Sequence, residues 1–259
     1  MTATIEDVKE YWNRQPCNVK HSKKEVGTRE YFEEVERKRY TAEPHIPRFA
    51  NFPAWKGKKV LEIGCGLATE GINFAHDGAD YTATDLSAES LDLAKKRFEV
   101  YNREGNFYQG NAEELDSFLP RQKFDLIYSF GVIHHSPNPS KIFDQIYEYM
   151  DENSVLKIML YAKDSWKGYM IEAGHDQPEA QYGCPIANMY TNDEVKELMR
   201  HGFDILSIEQ DHIFPYQIEP YKRGEFVKEP WFEAMPDDIF NAVKKKLGWH
   251  LLITARRSR

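Results

Sequence analysis

Lys59-Val60-Leu61-Glu62-Ile63-Gly64-Cys65-Gly66-Leu67-Ala68-Thr69-Glu70-Gly71 is the stretch that decides the fold. The apolar run from Val60 to Ile63, interrupted by one carboxylate, reads as a buried parallel strand. It breaks at once into glycines, which form a tight turn ahead of a helix. Glycine has no Cβ, so such a turn lets a ligand lie directly on the backbone. The dinucleotide fingerprint wants a further glycine or alanine three residues after the second glycine, where pyrophosphate meets the helix start. Here that position is Thr69, and the next glycine is Gly71. Glu62 adds a fixed negative charge, which repels a pyrophosphate and attracts a cation. The turn suits a ligand with a positive group and no phosphates.

Three more segments extend this reading. Asp80-Tyr81-Thr82-Ala83-Thr84 is a second strand ending at Asp85, about 20 residues after the turn, where an acidic residue can accept both hydroxyls of a ribose. Leu86 is placed to cover a base, and Ser87 suits the N-cap of a helix over Ala88 to Val100. Phe107 to Leu115 reads as a short strand that turns at Gly110, with Asn111 and Ala112 at a polar tip. Phe124 to Phe130 is an apolar strand, followed by Gly131-Val132-Ile133-His134-His135-Ser136-Pro137. Two histidines thus sit at a carboxyl strand end, the edge where open α/β sheets bind ligands.

With these pieces in this order, the chain resembles the class I S-adenosylmethionine-dependent methyltransferases, in particular the small-molecule branch that includes ubiquinone and menaquinone methyltransferases. The resemblance covers roughly residues 55 to 160 and the closing strand pattern. It implies an α/β, Rossmann-like, seven-stranded, mostly parallel sheet with an antiparallel last strand and helices on both faces. It implies S-adenosyl-L-methionine as cofactor and S-adenosyl-L-homocysteine as product. Glu62, Gly64 and Gly66 would flank the methionine part, Asp85 the ribose, Leu86 the adenine face, and Asn111 and Ala112 the adenine edge. Phe130 and the loop to His135 would lie beside the sulfonium. Many relatives carry Asp where this chain has Asn111, and an amide can both donate and accept there.

The chain of 259 residues has a formal net charge of -8. It is long enough for one large core and short for two full domains. The negative balance argues against a nucleic-acid partner, which needs clustered Lys and Arg. No apolar run approaches the roughly 20 residues that span a bilayer, and no signal peptide is recognisable. The expectation is a cytoplasmic enzyme, monomeric or homodimeric, with no membrane partner. Three cysteines, Cys17, Cys65 and Cys184, fit a reducing compartment.

Residues 1 to 54 read as an N-terminal helical cap, with helices over Ile5 to Trp12 and Thr28 to Tyr40. Residues 55 to 259 read as the methyltransferase domain, with substrate-covering insertions at 162–190 and 211–248. A fifth strand runs from Val155 to Tyr161, and Thr191-Asn192-Asp193-Glu194 forms a capping box for a helix to His201. Two last strands span Asp204 to Gln210 and His250 to Thr254.

Sulfonium methyl transfer asks the protein to align a nucleophile, exclude water and take up a proton where the nucleophile carries one. His135 and His134 are the first candidates for that base, followed by His175, His212 and Tyr216. Tyr11 of the cap is assigned to the cofactor. Tyr40, Trp166, Tyr169 and Tyr216 are assigned to the acceptor, which the aromatic insertions suggest is flat. Arg29, Arg39 or Lys222 in the pocket would instead suggest an anionic acceptor. No pair among the nine histidines has a metal-ligand spacing, so no metal is expected. The leading reading is transfer to an oxygen, nitrogen or carbon nucleophile of a small molecule. The alternatives are a protein or peptide side-chain methyltransferase and a non-catalytic cofactor-binding regulatory protein.

Overall fold

The structure, a computed structural model, describes residues 3–178 and 183–258, so 179–182 of the first insertion lie outside the described residues. The chain opens with three helices. α1, Ile5–Arg14, starts from a capping box in which Thr4 and Asp7 satisfy each other's backbone N–H groups. α2, Arg29–Ala42, starts behind Thr28, whose hydroxyl oxygen accepts from the Tyr31 N–H. α3, His45–Ala50, follows after a short break. Strand and helix then alternate through β1 (Lys59–Ile63), α4 (Thr69–His76), β2 (Asp80–Asp85), α5 (Ala88–Val100) and β3 (Asn106–Gln109). The chain continues through β4 (Leu126–Phe130), α6 (Pro139–Tyr149), β5 (Val155–Ala162), α7 (Trp166–Glu172) and β6 (Met189–Tyr190). The last elements are α8 (Asn192–Met199), β7 (Phe203–Asp211), α9 (Ile218–Lys222), α10 (Pro230–Glu233), α11 (Asp237–Leu247) and β8 (His250–Arg257).

The sheet order is β3-β2-β1-β4-β5-β8-β7, and the pairs from β3 to β5 are all parallel. β8 is antiparallel to both neighbours, as expected for the closing strand. The sheet departs from the seven-stranded expectation by one two-residue strand. β6 lies at the end of the first insertion and pairs with Tyr161 and Ala162 of β5.

Alternation along the strands separates two cores. Val60, Tyr128, Met159 and Leu252 pack with Phe52, Phe74 and Phe98 on one face. Leu61, Ile63, Ile127, Ile158 and Ile253 pack with Ile142, Phe143 and Val195 of α6 and α8 on the other. Period two therefore puts Glu62 on the face of Val60, below the cap, as a buried carboxylate in an otherwise apolar strand. α5 is capped by Ser87, whose hydroxyl oxygen accepts from the Ser90 N–H. The capping box before α8 forms as the motif requires.

Arg97 joins cap and sheet. It is fully buried, and its guanidinium donates to the carbonyls of Leu67 and Phe32 at 3.0 and 2.9 Å. It also donates to the Thr69 hydroxyl. One α5 side chain thus ties the glycine turn, the start of α4 and α2 together. Among the described residues, no helix is long and apolar enough to cross a membrane.

Candidate functional site

The glycine turn folds back on the end of β2, where the N–H groups of Gly64 and Cys65 both donate to the Thr84 carbonyl, at 2.7 and 3.1 Å. Gly64 has φ +75°, and a Cβ there would stand 2.3 Å from a methyl of Val132. Gly66 also has positive φ, but a Cβ there would meet nothing within 4 Å. The backbone at Gly66 therefore borders open space, a cradle that a side chain would fill. Its N–H donates to Asp85 Oδ2 at 2.8 Å, and Oδ1 of the same carboxylate accepts from Ser87 N–H at 2.8 Å. Burial pushes the Asp85 carboxyl up to about 6, against the N–H groups of Ser87, Gly66 and Leu86, which favour its charge. Leu86 is half-buried beside it.

At the end of β3, Asn111 caps a 3-10 segment, Ala112–Ser117, kinked at Glu114, by accepting from the Glu113 N–H at 3.0 Å. That commits its carbonyl oxygen to the chain itself. Ala112 packs on the second core. Glu113 accepts from the Ser136 hydroxyl at 2.6 Å and from the Asn138 amide at 3.1 Å, which binds this edge to the loop after β4.

Below the turn, Glu62 accepts from the Tyr81 hydroxyl. Burial, followed by repulsion from Glu70, holds the Glu62 carboxyl well above the usual range. Glu70 is held by Arg39 of α2 at 2.7 Å, and Arg39 also reaches Glu43 at 3.1 Å. The guanidinium lies 5.6 Å from the Phe130 ring.

The loop after β4 places its two histidines differently. His134 is fully buried and stacks on Tyr161 at 3.8 Å, and neither ring nitrogen has a hydrogen-bond partner. Burial pulls it well below the ordinary histidine range. His135 instead donates from Nδ1 to the Ile186 carbonyl at 2.6 Å. Cys184 lies 3.5 Å from the same Nδ1. The ring of Trp12 meets His135 edge-on at 5.3 Å, and the Trp12 carbonyl accepts from the Ser87 hydroxyl at 3.4 Å. α1 thus lies across the space between Asp85 and His135. Tyr11 is buried against Trp12 at 5.0 Å.

The expected acceptor residues are scattered. The Tyr40 hydroxyl donates to the Thr69 carbonyl at 3.3 Å, against α4. Trp166 packs on Phe232 at 5.3 Å, and Tyr169 is 50% exposed. Tyr216 packs on Phe214 and Phe226 within the second insertion. Arg29 lies over Tyr101, Lys222 pairs with Glu219 on the surface, and Arg39 is neutralised by two carboxylates. What does gather around Phe130 is a set of rings of which only His212 stood among the candidate bases. His250 and His45 lie 5.5 and 5.9 Å from it, and His212 stacks on His250 at 4.5 Å. Trp249 stacks on Tyr161 at 4.5 Å. Burial holds His212 and His250 well below the ordinary histidine range and His45 at about 3. The one sequence signal for this wall is position, since Tyr161 ends one strand and Trp249 and His250 start its antiparallel neighbour. A surface cleft of about 680 Å³ between Asp80, Phe98 and Asn106 opens at the opposite edge of the sheet.

Comparison with known proteins identifies the family and the fold. Residues 55–203 match a family profile described as a methyltransferase domain. A ubiquinone biosynthesis O-methyltransferase of Glaesserella parasuis is 30% identical over 118 residues, which are 44% of this chain and 50% of that protein. Its counterpart in Psychrobacter cryohalolentis is 26% identical over 60% of this chain and 59% of that protein. The chain thus spans only about half the length of these curated relatives. Among solved structures, the magnesium protoporphyrin IX methyltransferase of Synechocystis PCC 6803 with bound SAH superposes with a TM-score of 0.62 at 15% identity, covering 98% of this chain and all of that one. An S-adenosylmethionine-dependent methyltransferase from Mesorhizobium loti superposes with a TM-score of 0.56 at 17% identity, covering 83% and 97%. At such identities the superpositions establish the fold.

Proposed function

The chain belongs to the methyltransferase domain family, and from that premise we propose that it transfers the methyl group of S-adenosylmethionine to a small molecule. The bound cofactor supplies a methyl already activated by its sulfonium. Gly66 and Asp85 cradle the nucleoside end, with the carboxylate accepting from the ribose hydroxyls. Glu62, Gly64 and Gly66 flank the methionine end, and Leu86, Asn111 and Ala112 line the adenine. Phe130 presents an aromatic face beside the sulfonium, where ring electrons favour a cation. Tyr11 and Trp12 close the cleft from above.

The observation that carries a small acceptor over a protein or nucleic acid is closure. Trp12 seals the gap between Ser87 and His135, and Lys38 of α2 reaches the Tyr221 carbonyl of the second insertion at 3.3 Å. Such a bridge over the cleft suits a small molecule that is enclosed and kept from water. The aromatic rings of Phe130, Tyr161, Trp249 and Trp12 on this side suit a flat acceptor. His135 takes up the acceptor's proton as the methyl carbon bonds to the acceptor and its bond to sulfur breaks, its Nδ1–H held by Ile186. The ubiquinone O-methyltransferases in the matching set carry the substrate class in their names, which supports a phenolic or quinol-type oxygen as the nucleophile.

The test is turnover. The full chain is incubated with labelled S-adenosylmethionine and separate pools of phenols and catechols, small carboxylic acids and amines, peptides, and transfer RNA. Label in the phenol pool is the expected result. Label confined to peptide or RNA would overturn the small-molecule reading, and calorimetry showing no cofactor binding would remove its premise.

A further inference from the structure

Three elements far apart in sequence converge beside Phe130. Glu43 follows α2, His212 follows β7, and His250 opens β8. One ligand atom from each lies within 4.8 Å of the others. His250 is almost fully buried and Glu43 partly so. We propose that Glu43, His212 and His250 form a site for a divalent transition-metal ion, with His45 orienting His250 from behind.

Hydrogen bonding defines the free atoms. His45 Nε2 and His250 Nδ1 are 2.9 Å apart, so that contact occupies Nδ1 of His250. Nε2 of His250 then faces Glu43 Oε1 at 3.8 Å. That is too long for a hydrogen bond and close to the separation of two ligand atoms on one cation. Four-coordinate zinc with bonds of about 2.0–2.1 Å sets its ligand atoms about 3.4 Å apart, so modest side-chain contraction closes the site. A partner on the second ring nitrogen is the usual way to fix the tautomer of a ligating histidine. Here His45 is that partner.

Backbone and charge agree with the placement. His212 is held at φ +75°, a conformation that costs energy in a non-glycine residue and that clusters at functional sites. The Trp249 N–H donates to the His212 carbonyl at 2.6 Å, so the strain is held by the β7–β8 pairing and directs the ring at His250. Arg39 is a single cation shared between Glu43 and Glu70. Lys244 and Arg48 are taken up by Asp211 and Glu209. Glu43 thus shares its arginine with a second carboxylate.

Two histidines and one carboxylate leave a coordination position open, the pattern of catalytic rather than structural metal sites. Metal occupancy is independent of the methyl-transfer reading, whereas the use of the cation as a Lewis acid rests on it. In that use, an acceptor with an ionisable hydroxyl would ligate the open position facing Phe130, and the metal would stabilise its oxyanion for attack on the methyl.

The experiment is metal binding by the full chain without cofactor. Chelator-stripped protein is dialysed against zinc, and separately against cobalt(II), then measured by elemental analysis and visible absorption. One equivalent per chain with the ligand-field bands of four- or five-coordinate cobalt is the expected result. Glu43→Gln, His212→Gln and His250→Gln should each lose the bands and weaken affinity at least 100-fold, with folding checked by circular dichroism. His45→Gln should keep the stoichiometry and weaken affinity 10- to 100-fold. Sub-stoichiometric metal in the unsubstituted chain, or bands that survive in all three ligand variants, would overturn the assignment whatever the methyltransferase assays show.

Discussion

The two ends of the sheet's carboxyl edge build their proposed ligand surfaces by different means. At the β1–β2 end, Gly64, Gly66, Asp85 and Ser87 make the surface, and the contacts run through backbone N–H groups and one carboxylate. At the β5–β8 end, Trp12, Glu43, His45, Phe130, His135, Tyr161, His212, Trp249 and His250 meet side chain to side chain. The first end uses turn geometry that a short segment imposes on itself. The second uses packing between elements that are strangers in sequence. A nucleoside common to a family can be held by the first device, while the second is free to vary with the acceptor.

That contrast can be tested from its strongest consequence downward. His135→Gln should lower kcat by about 10²–10⁴-fold where a proton must be removed, with cofactor affinity unchanged by calorimetry. A parallel loss of cofactor affinity would break the separation between the two ends. Arg97→Met should cost about 3 kcal/mol, because the buried carbonyls of Leu67 and Phe32 lose their donor. A thermal melt with a second, lower transition for the cap would show that this residue couples the ends.

The two glycines of the turn should separate. Gly64→Ala forces a Cβ into Val132 and should destabilise the fold by about 2–3 kcal/mol. Gly66→Ala meets open space and should cost only about 1 kcal/mol in stability, while weakening cofactor binding more than the melt would suggest. Equal effects of Gly66→Ala on stability and on affinity would remove Gly66 from the cradle.

The smallest effect is the pH response of Asp85. Its folded pKa, about 6, lies above the ordinary 3.8, so between these values the ligand-free fold binds the extra proton. Its contribution to stability is therefore most favourable below about pH 4 and declines as pH rises through 6. Cofactor binding runs the other way, because a carboxylate is needed to accept the ribose hydroxyls. Affinity should fall about fivefold from pH 6 to pH 5, and the profile for Asp85→Asn should be flat in calorimetric titrations.

Much of the fold was legible because its signals are short-range. The apolar runs of β1 and β4, Ser87 at the start of α5, and the capping box at Thr191 each state a local preference that the packed structure keeps. The two-residue strand β6 was not legible, since it exists only because β5 offers an edge at Tyr161 and Ala162. The different settings of His134 and His135 were equally hidden. Neighbours in sequence, one is walled in by Tyr161 while the other is held by the Ile186 carbonyl from the far side of the first insertion.

By itself, the sequence determined the strand–turn–helix order, the positions of the caps and the turn that a nucleoside can approach, because hydrogen bonds and backbone sterics act within a few residues. Only the tertiary structure decided that Arg39 would be shared by two carboxylates, that Trp12 would lie across the cleft, and that three histidines would share one wall. Those outcomes depend on which faces of separate elements must be buried against one another, and no local spacing in the chain encodes that choice.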